Sequence, residues 1–305
     1  MSFSADVKKE IVSREVPKSC CAVAAAYAVA CFGKYFDEKG TVLHTEHEVV
    51  AKYAQKVMQR AGIKGEIHVK ARESKDVYEF SVKDKEQVDK LLELFERKPE
   101  DVSVRINGDI FKCDHCASAF IAAAFLCAGT MTNPEREYNL EFLSNRHGLI
   151  KDLASLLEGR EISTGCVRRK GSNVLYIKSS EQIEDLLTIM GATNASLEIM
   201  NLKVYKDIRN KANRIANCET ANIDKTVTAN VNTASAIDYL RENDAFDLLP
   251  DTLKETALML EENPDASLRS LAQKFTPPIS KSGLSTRLKR LEQIADKMKE
   301  RARNG

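Results

Sequence analysis

The sequence predicts an α+β domain made of two similar αββαββα-like repeats, followed by an all-α domain. Two alanine-rich segments, CAVAAAYAVACFG and CASAFIAAAFLCAG, end in Gly33 and Gly129, which lie 96 residues apart. Two later segments, KDKEQVDKLLELF and KSSEQIEDLLTIM, place Glu86 and Glu181 95 residues apart. A nearly constant offset at both ends of a unit indicates an internal duplication. From Thr233 onward the apolar residues recur only with helical periodicity.

The order of elements is predicted to be the same in both repeats. Residues 1–19 form a preceding amphipathic helix, and the duplicated domain spans 20–200, with repeats at about 20–105 and 115–200. The first repeat is expected to contain, after its alanine-rich helix, an extended segment at 40–50, a helix at 48–61, strands at 63–70 and 77–82, a turn at Glu73, Ser74 and Lys75, and a helix at 83–97. The second is expected to contain a strand at 138–143, a helix at 145–158, strands at 161–169 and 173–178, and a helix at 180–190.

The two alanine-rich helices are expected to pack as a central pair. Alanine projects little beyond its Cβ atom, so another backbone can approach closely. The positions predicted to face this contact are Ala24, Ala28, Ala119 and Ala123. A larger side chain at these positions should disrupt the domain by overpacking.

The composition is that of an ordinary soluble protein, with 43% hydrophobic and 30% charged residues and a formal net charge of +1. Any polyanionic partner must therefore be met by local basic patches. The N-terminus lacks a signal-peptide pattern, and the alanine-rich runs are shorter than the roughly 20 residues that span a bilayer. Eight cysteines in 305 residues are too few for a disulfide scaffold. We expect a cytoplasmic protein with reduced thiols.

The C-terminal region, 226–305, has the layout of a helix-turn-helix domain. Helices are predicted at 233–241, 249–262, 267–273 and 281–301, with Ser267 and Ser280 as N-caps. In such a domain the first turns of the second helix enter the major groove. Leu284, Leu288, Leu291 and Ile294 should pack inward. The residues predicted to contact DNA are Lys281, Ser282, Ser285, Thr286, Arg287, Lys289 and Arg290.

A basic linker at 201–225 precedes this domain. Lysine and arginine meet phosphate by charge, while asparagine can bond phosphate oxygens or base edges. The linker residues predicted to contact DNA are Arg209, Lys211, Asn213, Arg214, Asn217 and Lys225. A solvated linker helix without a DNA contact is the alternative interpretation of this segment.

The alanine-rich helices that end in glycine and precede strand pairs resemble those of the LAGLIDADG homing endonucleases. In that family the residue before each glycine is an acid, and the two acids hold a divalent metal ion for phosphodiester hydrolysis. Here these positions are Phe32 and Ala128, which cannot ligate a metal ion. The nearest acids, Asp37, Glu38 and Glu135, lie beyond the glycines. We predict the fold without catalytic residues, metal or cofactor.

A cysteine-rich segment, KCDHC, precedes the second alanine-rich helix. Cys113 and Cys116, with His115 between them, could supply half of a tetrahedral zinc site, and Cys20 with Cys21 lies at the equivalent place in the first repeat. Adjacent cysteines are poor chelators, however, and Cys21 matches Cys116 as a helix-start residue. Packing is therefore the favoured interpretation, and zinc is the open alternative.

The whole chain resembles the WhiA family of bacterial regulators. The resemblance is carried by the start MSFSADVKKEI, the duplicated domain, the segment RNKANRIANCETANIDKT and the end SLRSLAQKFTPPISKSGLSTRLKRL. It implies a DNA-binding transcriptional regulator linked to cell division, chromosome segregation or sporulation, descended from a homing endonuclease that no longer cuts. The sequence departs from the family at Ala122 and Ala123, where members commonly carry an Arg-Gly pair.

These observations together predict a sequence-specific binding protein for double-stranded DNA, located at the nucleoid. A second regulatory protein is the other partner considered, and no membrane or small-molecule substrate is expected. Two alternatives remain open from the residues alone. One is an active metal-dependent endonuclease, and the other is a scaffold that binds partner proteins.

Overall fold

The computed structural model describes residues 2–71, 76–98, 101 and 103–304. The chain divides into two compact units, 1–206 and 207–305. The first helix, α1, is Phe3–Ser13, and its N-cap Ser2 accepts a hydrogen bond from the backbone N–H of Ala5. This helix is shorter than the predicted 1–19, because the chain is extended from Arg14 and a proline follows at position 17. The predicted turn at 73–75 lies outside the described residues.

The alanine-rich segments form two helices that pack against each other, as the sequence predicts. They are α2, Ser19–Phe32, and α5, Asp114–Ala128. Ala24, Ala28 and Ala123 are completely buried. Ala119 is half-buried and packs against the same core, and it also borders a surface cavity together with Ile11 and Tyr53.

Each repeat has the order αββαββα and forms one four-stranded antiparallel sheet. The other elements of the first repeat are β1 (Tyr35–Asp37), β2 (Gly40–Thr45), α3 (Glu48–Arg60), β3 (Glu66–Lys70), β4 (Val77–Val82) and α4 (Lys85–Leu94). Those of the second are β5 (Gly129–Met131), β6 (Leu140–Ser144), α6 (His147–Glu158), β7 (Gly165–Arg169), β8 (Ser172–Ile177) and α7 (Ser180–Met190). The strand orders β1-β2-β4-β3 and β5-β6-β8-β7 correspond, so the duplication read from the sequence is confirmed in the fold.

The sequence match near the end of each repeat has a structural basis in helix capping. Asp84 caps α4 by accepting a hydrogen bond from the backbone N–H of Gln87, and Ser179 caps α7 by accepting one from Gln182. Both are side-chain acceptors that bond to a free N–H of the first helical turn. The two repeats therefore share this helix start even where the residue type differs.

The glycines after the central helices permit close backbone packing. A Cβ atom on Gly33 would lie 2.7 Å from the carbonyl oxygen of Val42, and one on Gly129 would lie 2.6 Å from that of Phe125. Neither distance leaves room for a side chain. These glycines are required where each central helix turns into its first strand.

A 50-residue helix, α8 (Thr193–Glu242), follows the duplicated domain. The predicted helix start at Thr233 is therefore wrong. The segment contains neither glycine nor proline, so nothing in it interrupts helical hydrogen bonding. The predicted basic linker, 201–225, lies within this helix.

Three further helices complete the C-terminal unit. They are α9 (Asp251–Glu262), α10 (Leu268–Gln273) and α11 (Lys281–Asn304). Their apolar faces form one core with the end of α8, in which Ile237, Leu271, Leu284 and Leu291 are completely buried. The end of α8 and the three helices therefore fold as one small helical domain.

Candidate nucleic-acid interface

The two helices of the predicted helix-turn-helix begin at serine caps. Ser267 accepts a hydrogen bond from the backbone N–H of Ser270 at the start of α10. Ser280 accepts one from the N–H of Gly283 at 3.0 Å at the start of α11. Both predicted caps are confirmed. Between the helices, Phe275 is buried in the domain core and anchors the turn.

One face of α11 is buried and the opposite face is open. Leu284, Leu288 and Leu291 are buried as predicted, whereas Ile294 is only partly buried. The exposed residues fall on the face opposite these leucines because they follow the 3.6-residue helical repeat. The exposed residues of this face are Ser282, Thr286, Lys289, Arg290 and Gln293, with Lys281 exposed at the helix start.

Three cations near the start of α11 are available to a partner. Lys281, Lys289 and Arg290 are exposed, and none has a carboxylate within ion-pair distance in the part of the chain that the structure describes. Phosphate oxygens bind such groups without first displacing an internal partner. These three residues therefore form an accessible basic set near the start of the helix.

Arg287 differs from these cations because it packs inward. Its guanidinium carbon lies 5.7 Å from the centre of the Phe275 ring, and its Nη1 lies 3.7 Å from Oε2 of Glu255 on α9. The side chain is 27% exposed. This geometry gives Arg287 a role inside the domain, which the sequence alone did not indicate.

The hydroxyl groups predicted to reach base edges lie in the first turns of α11. Ser282 is exposed, and its hydroxyl lies 3.1 Å from that of the capping Ser280. Thr286 donates a hydrogen bond to the carbonyl oxygen of Ser282. Ser285 is half-buried beside them. The structure brings these three hydroxyls to one end of the helix.

The predicted DNA-contacting residues of the linker are all exposed on α8. Arg209, Asn213 and Asn217 recur every four residues and therefore share one face of the helix. Lys211, Arg214 and Lys225 lie within about 60° of one another on a different side of the helix. A polyanion that follows the helix could contact either group.

The same helix has an exposed apolar stripe, which was not predicted from the sequence. The residues share one face because their spacing follows the helical repeat. They are Leu197, Met200, Val204, Ile208 and Ile215, which are 41–63% exposed. The helical spacing of these apolar residues is visible in the sequence. The segment was interpreted from the basic and asparagine residues between them instead.

The C-terminal ends of the central helices α2 and α5 have basic neighbours. Phe32 is buried and packs edge-to-face on Phe120. The guanidinium of Arg146 donates to the carbonyl oxygens of Cys31 at 2.6 Å and Gly33 at 2.9 Å at the end of α2. Burial lowers the pKa of Arg146 below its usual value. A cation here satisfies the last carbonyls of the helix.

The end of α5 is arranged in a similar way by α1. The ammonium group of Lys8 is buried, donates to the carbonyl oxygen of Leu126 at 3.2 Å and lies 5.8 Å from the centre of the Phe125 ring. Burial lowers the pKa of Lys8. Asp37, Glu38 and Glu135 are exposed. Each central helix therefore ends beside a basic side chain whose nitrogen atoms bond to the helix carbonyls.

The outer faces of the two sheets differ in polarity at equivalent positions. In the first sheet Glu79 is paired across the strands with His44 and His68. In the second sheet the same register places Val174 between Leu143 and Val167, which are 40% and 41% exposed. Among the described residues, neither face has a lysine or arginine at this register.

Glu79 is the centre of an ion network on the first sheet. Its carboxylate accepts hydrogen bonds from Lys70, from Lys83 at 2.9 Å and from His44 at 2.9 Å. Only 7% of the side chain is exposed. Hydrogen bonds from Lys70, Lys83 and His44 hold the pKa of this carboxyl well below its usual value of 4.5.

Four thiols lie together at the opposite ends of the central helices. Cys20, Cys21, Cys113 and Cys116 place their sulfur atoms within 4.8 Å of one another. Burial raises the pKa of Cys21 to about 12. For Cys113 burial acts in the same direction, but hydrogen bonds to its sulfur, including one from the Cys116 thiol, lower the pKa to about 7. These are residues of the kind that hold a soft metal ion.

Among the described residues, no helix combines the length and apolar character needed to cross a membrane.

Family models match most of the chain. The model of the WhiA LAGLIDADG-like domain matches residues 42–100 and 117–209, and that of the WhiA C-terminal HTH domain matches residues 212–295. The matches cover both the duplicated domain and the helical domain described above.

Several proteins are similar to this chain over nearly its whole length. A probable cell division protein WhiA of Clostridium botulinum is 35% identical over 320 residues, which is 98% of this chain and 99% of the relative. A protein of the same name from Alkaliphilus metalliredigens is 33% identical over 311 residues, 97% of this chain and 98% of the relative.

A crystal structure supports the likeness in fold. Full-length DUF199/WhiA from Thermatoga maritima superposes with a TM-score of 0.61 at 22% sequence identity and covers 97% of this chain and 99% of its own. The family models and the relatives agree on both domains. The chain therefore belongs to the WhiA family, with a LAGLIDADG-like domain and a C-terminal helix-turn-helix domain.

Proposed function

We propose that the protein is a sequence-specific DNA-binding transcriptional regulator that does not cut DNA. The relatives are named probable cell division proteins. We extend this role to the present chain and propose that it regulates cell division, chromosome segregation or sporulation. Its partner is double-stranded DNA.

The single observation that carries the proposal is the open face of α11. It begins at a serine-capped helix start, and it combines exposed hydroxyls with Lys281, Lys289 and Arg290, which have no carboxylate partner in the described chain. A helix of this kind suits the major groove, where its first turns reach base edges. The buried leucines on the other face fix it to the domain core.

The residues divide into two roles under this proposal. Lys289 and Arg290 are phosphate anchors, and Ser282 and Ser285 contact base edges. The exposed basic and asparagine residues of α8, from Arg209 to Lys225, add further phosphate contacts. Arg287 supports the helix from inside, through Glu255 and Phe275.

Gel shifts at several salt concentrations test the DNA-binding part. Genomic fragments recovered with the full-length protein supply the probe, and genome-wide mapping of bound sites identifies the genes. Counterion release predicts an affinity that falls steeply with salt. An affinity that is indifferent to ionic strength would contradict the proposed contacts.

The absence of cleavage is supported by the residues at the ends of the central helices. Phe32 and Ala128 lack ligand atoms, and Arg146 and Lys8 bond to the nearby backbone carbonyls. The protein with Mg²⁺ or Mn²⁺ and its bound DNA should produce no nicks. Metal-dependent cutting that is lost in a Glu135→Ala variant would establish the endonuclease alternative instead.

A further inference from the structure

The four thiols at the N-terminal ends of the central helices come in two pairs, one from each repeat. Cys20 and Cys21 lie in the first turn of α2, Cys113 is the N-cap of α5, and Cys116 lies in its first turn. The sulfur of Cys113 is 3.6 Å from those of Cys20 and Cys21 and 3.5 Å from that of Cys116. Cys21 and Cys116 are buried, and the other two are half-buried.

The spacing of the sulfur atoms matches the edges of a single metal tetrahedron. A zinc–sulfur bond of about 2.3 Å in tetrahedral geometry places the sulfurs about 3.8 Å apart. The distances between 3.5 and 3.6 Å, with all four atoms within 4.8 Å, fall close to that value. A cluster of several iron atoms distributes its thiolates over different irons and spreads them further apart. The separations of these sulfurs therefore fit one ion better than a cluster.

The helix starts also supply compensating charge for thiolates. The free N–H groups and the dipole of a helix favour negative charge at its N-terminus, and two such ends meet here. Lys18 and Lys112 precede the two cysteine pairs in the sequence and are exposed. Four thiolates around a divalent ion leave two negative charges, which these groups offset.

Adjacent cysteines are poor chelators when they must bind an ion as a pair. In the folded protein the two sulfurs of Cys20 and Cys21 need not close a ring alone, because Cys113 lies at the same distance from both. The second repeat supplies the remaining pair through its Cys-x-x-Cys spacing. The packing of α2 against α5 creates the site, which neither repeat contains by itself.

We propose that Cys20, Cys21, Cys113 and Cys116 bind one zinc ion that fastens the two repeats together. With four protein ligands the coordination is complete, as in structural zinc sites. The site lies at the starts of the central helices, about 20 Å from their glycine ends at 1.5 Å per residue over the 14 residues of α2. The ion therefore stabilises the pair of helices and takes no part in DNA chemistry.

The metal content of the full-length protein tests this directly. Protein produced without a histidine tag in zinc-supplemented medium and purified under reducing conditions should contain about one zinc per chain by elemental analysis. Removal of the metal by a chelator should lower the Tm by at least about 5 °C, because metal binding contributes folding free energy. Cobalt added to the reduced apoprotein should give tetrahedral d–d and thiolate-to-metal absorption bands.

Two half-buried ligands are the best positions for substitution. Cys20→Ser and Cys113→Ser should each reduce the zinc content to less than about a tenth of an equivalent. Cys166→Ser is the matched control, since Cys166 is exposed and outside the cluster, and it should keep a full equivalent. Wild-type protein that takes up neither zinc nor cobalt, or a Cys113→Ser variant that keeps its zinc, would overturn the proposal. One equivalent of iron in place of zinc would overturn the assignment to zinc. If Cys113→Ser does not fold, the cobalt titration of the wild-type protein decides alone.

Discussion

The cations of the two compact units differ in what they contact. On the sheets of the first unit, Lys70 and Lys83 bond to Glu79, and Arg169 lies 3.4 Å from the carboxylate of Glu141. On α11 of the second unit, Lys281, Lys289 and Arg290 have no such partner among the described residues. A paired cation must lose its carboxylate before it can bind phosphate, whereas an unpaired one exchanges only water and salt ions.

Under the proposed function, this difference locates the main surface for nucleic acid on the helix-turn-helix domain. The LAGLIDADG-like domain retains the duplicated framework, but its central helices end beside Arg146 and Lys8, and Lys70, Lys83 and Arg169 on its sheets are paired with carboxylates. The helix-turn-helix domain presents an open basic helix start. We infer that DNA contact depends mainly on the smaller unit.

The largest expected effect comes from the unpaired cations. Replacing Lys281, Lys289 and Arg290 together by Ala should weaken DNA binding roughly 10- to 100-fold at moderate salt and reduce the log–log salt slope by about three units. Gel shifts with the full-length protein across a salt series measure both quantities.

The matched control removes the same amount of charge from the sheets. A variant with Lys70, Lys83 and Arg169 replaced by Ala should bind DNA as the wild type does, because these groups already bond to Glu79 and Glu141. Equal losses of DNA affinity in the two variants would contradict the difference between paired and unpaired cations. They would assign the sheets a direct part in DNA binding.

A single hydroxyl tests base contact rather than charge. Ser285→Ala should cost about 1 to 3 kcal/mol in discrimination at one base pair and leave the salt slope unchanged. Binding to a set of operators, each with one base pair changed, measures this. Gln293→Ala, two turns further along the exposed face, is the control and should not alter the preference at any one position. A uniform loss on all operators would show that Ser285 supports the helix and does not contact a base.

Within the helix-turn-helix domain, Arg287 is a cation that already has a carboxylate partner. Arg287→Ala removes the contact with Phe275 and the ion pair with Glu255, and should lower the free energy of unfolding by about 1 kcal/mol. Urea unfolding measures the stability, and the salt slope should remain that of the wild type. Arg290→Ala should instead reduce the salt slope and leave the free energy of unfolding unchanged. If Arg287→Ala reduces the slope and not the stability, the inward position of Arg287 is not maintained on DNA.

The duplication and the helix-turn-helix could be predicted because local signals carry them. The constant offset between the repeats, the serine caps at Ser267 and Ser280 and the leucine spacing of α11 all lie within short segments. The length of α8 could also have been predicted, since no glycine or proline interrupts 193–242, but the basic composition of 201–225 suggested a separate linker.

Other features depend on how distant segments pack. The inward turn of Arg287 requires Glu255 on another helix, and the cation at the end of α2 comes from Arg146 in the second repeat. The four thiols meet only because α2 packs against α5. Contacts between distant segments leave no periodic pattern in the sequence. The residues can therefore be identified from the sequence, but the residues that they contact cannot.

The smallest expected effect tests the neutralised face of the first sheet. Because the pKa of Glu79 is held below its ordinary value by Lys70, Lys83 and His44, its ionised form stabilises the fold. This contribution is fully present above the unfolded value near 4.5 and is lost as the pH falls toward the lowered folded pKa. Glu79→Gln should lower the free energy of unfolding at pH 7 by about 1 kcal/mol, since its partners are partly exposed and screened. Urea unfolding between pH 7 and pH 3 should show the wild type and the variant converging as the pH decreases. A difference that stays constant over this range would mean that Glu79 acts through packing, and its lysines would then belong with the unpaired cations of α11.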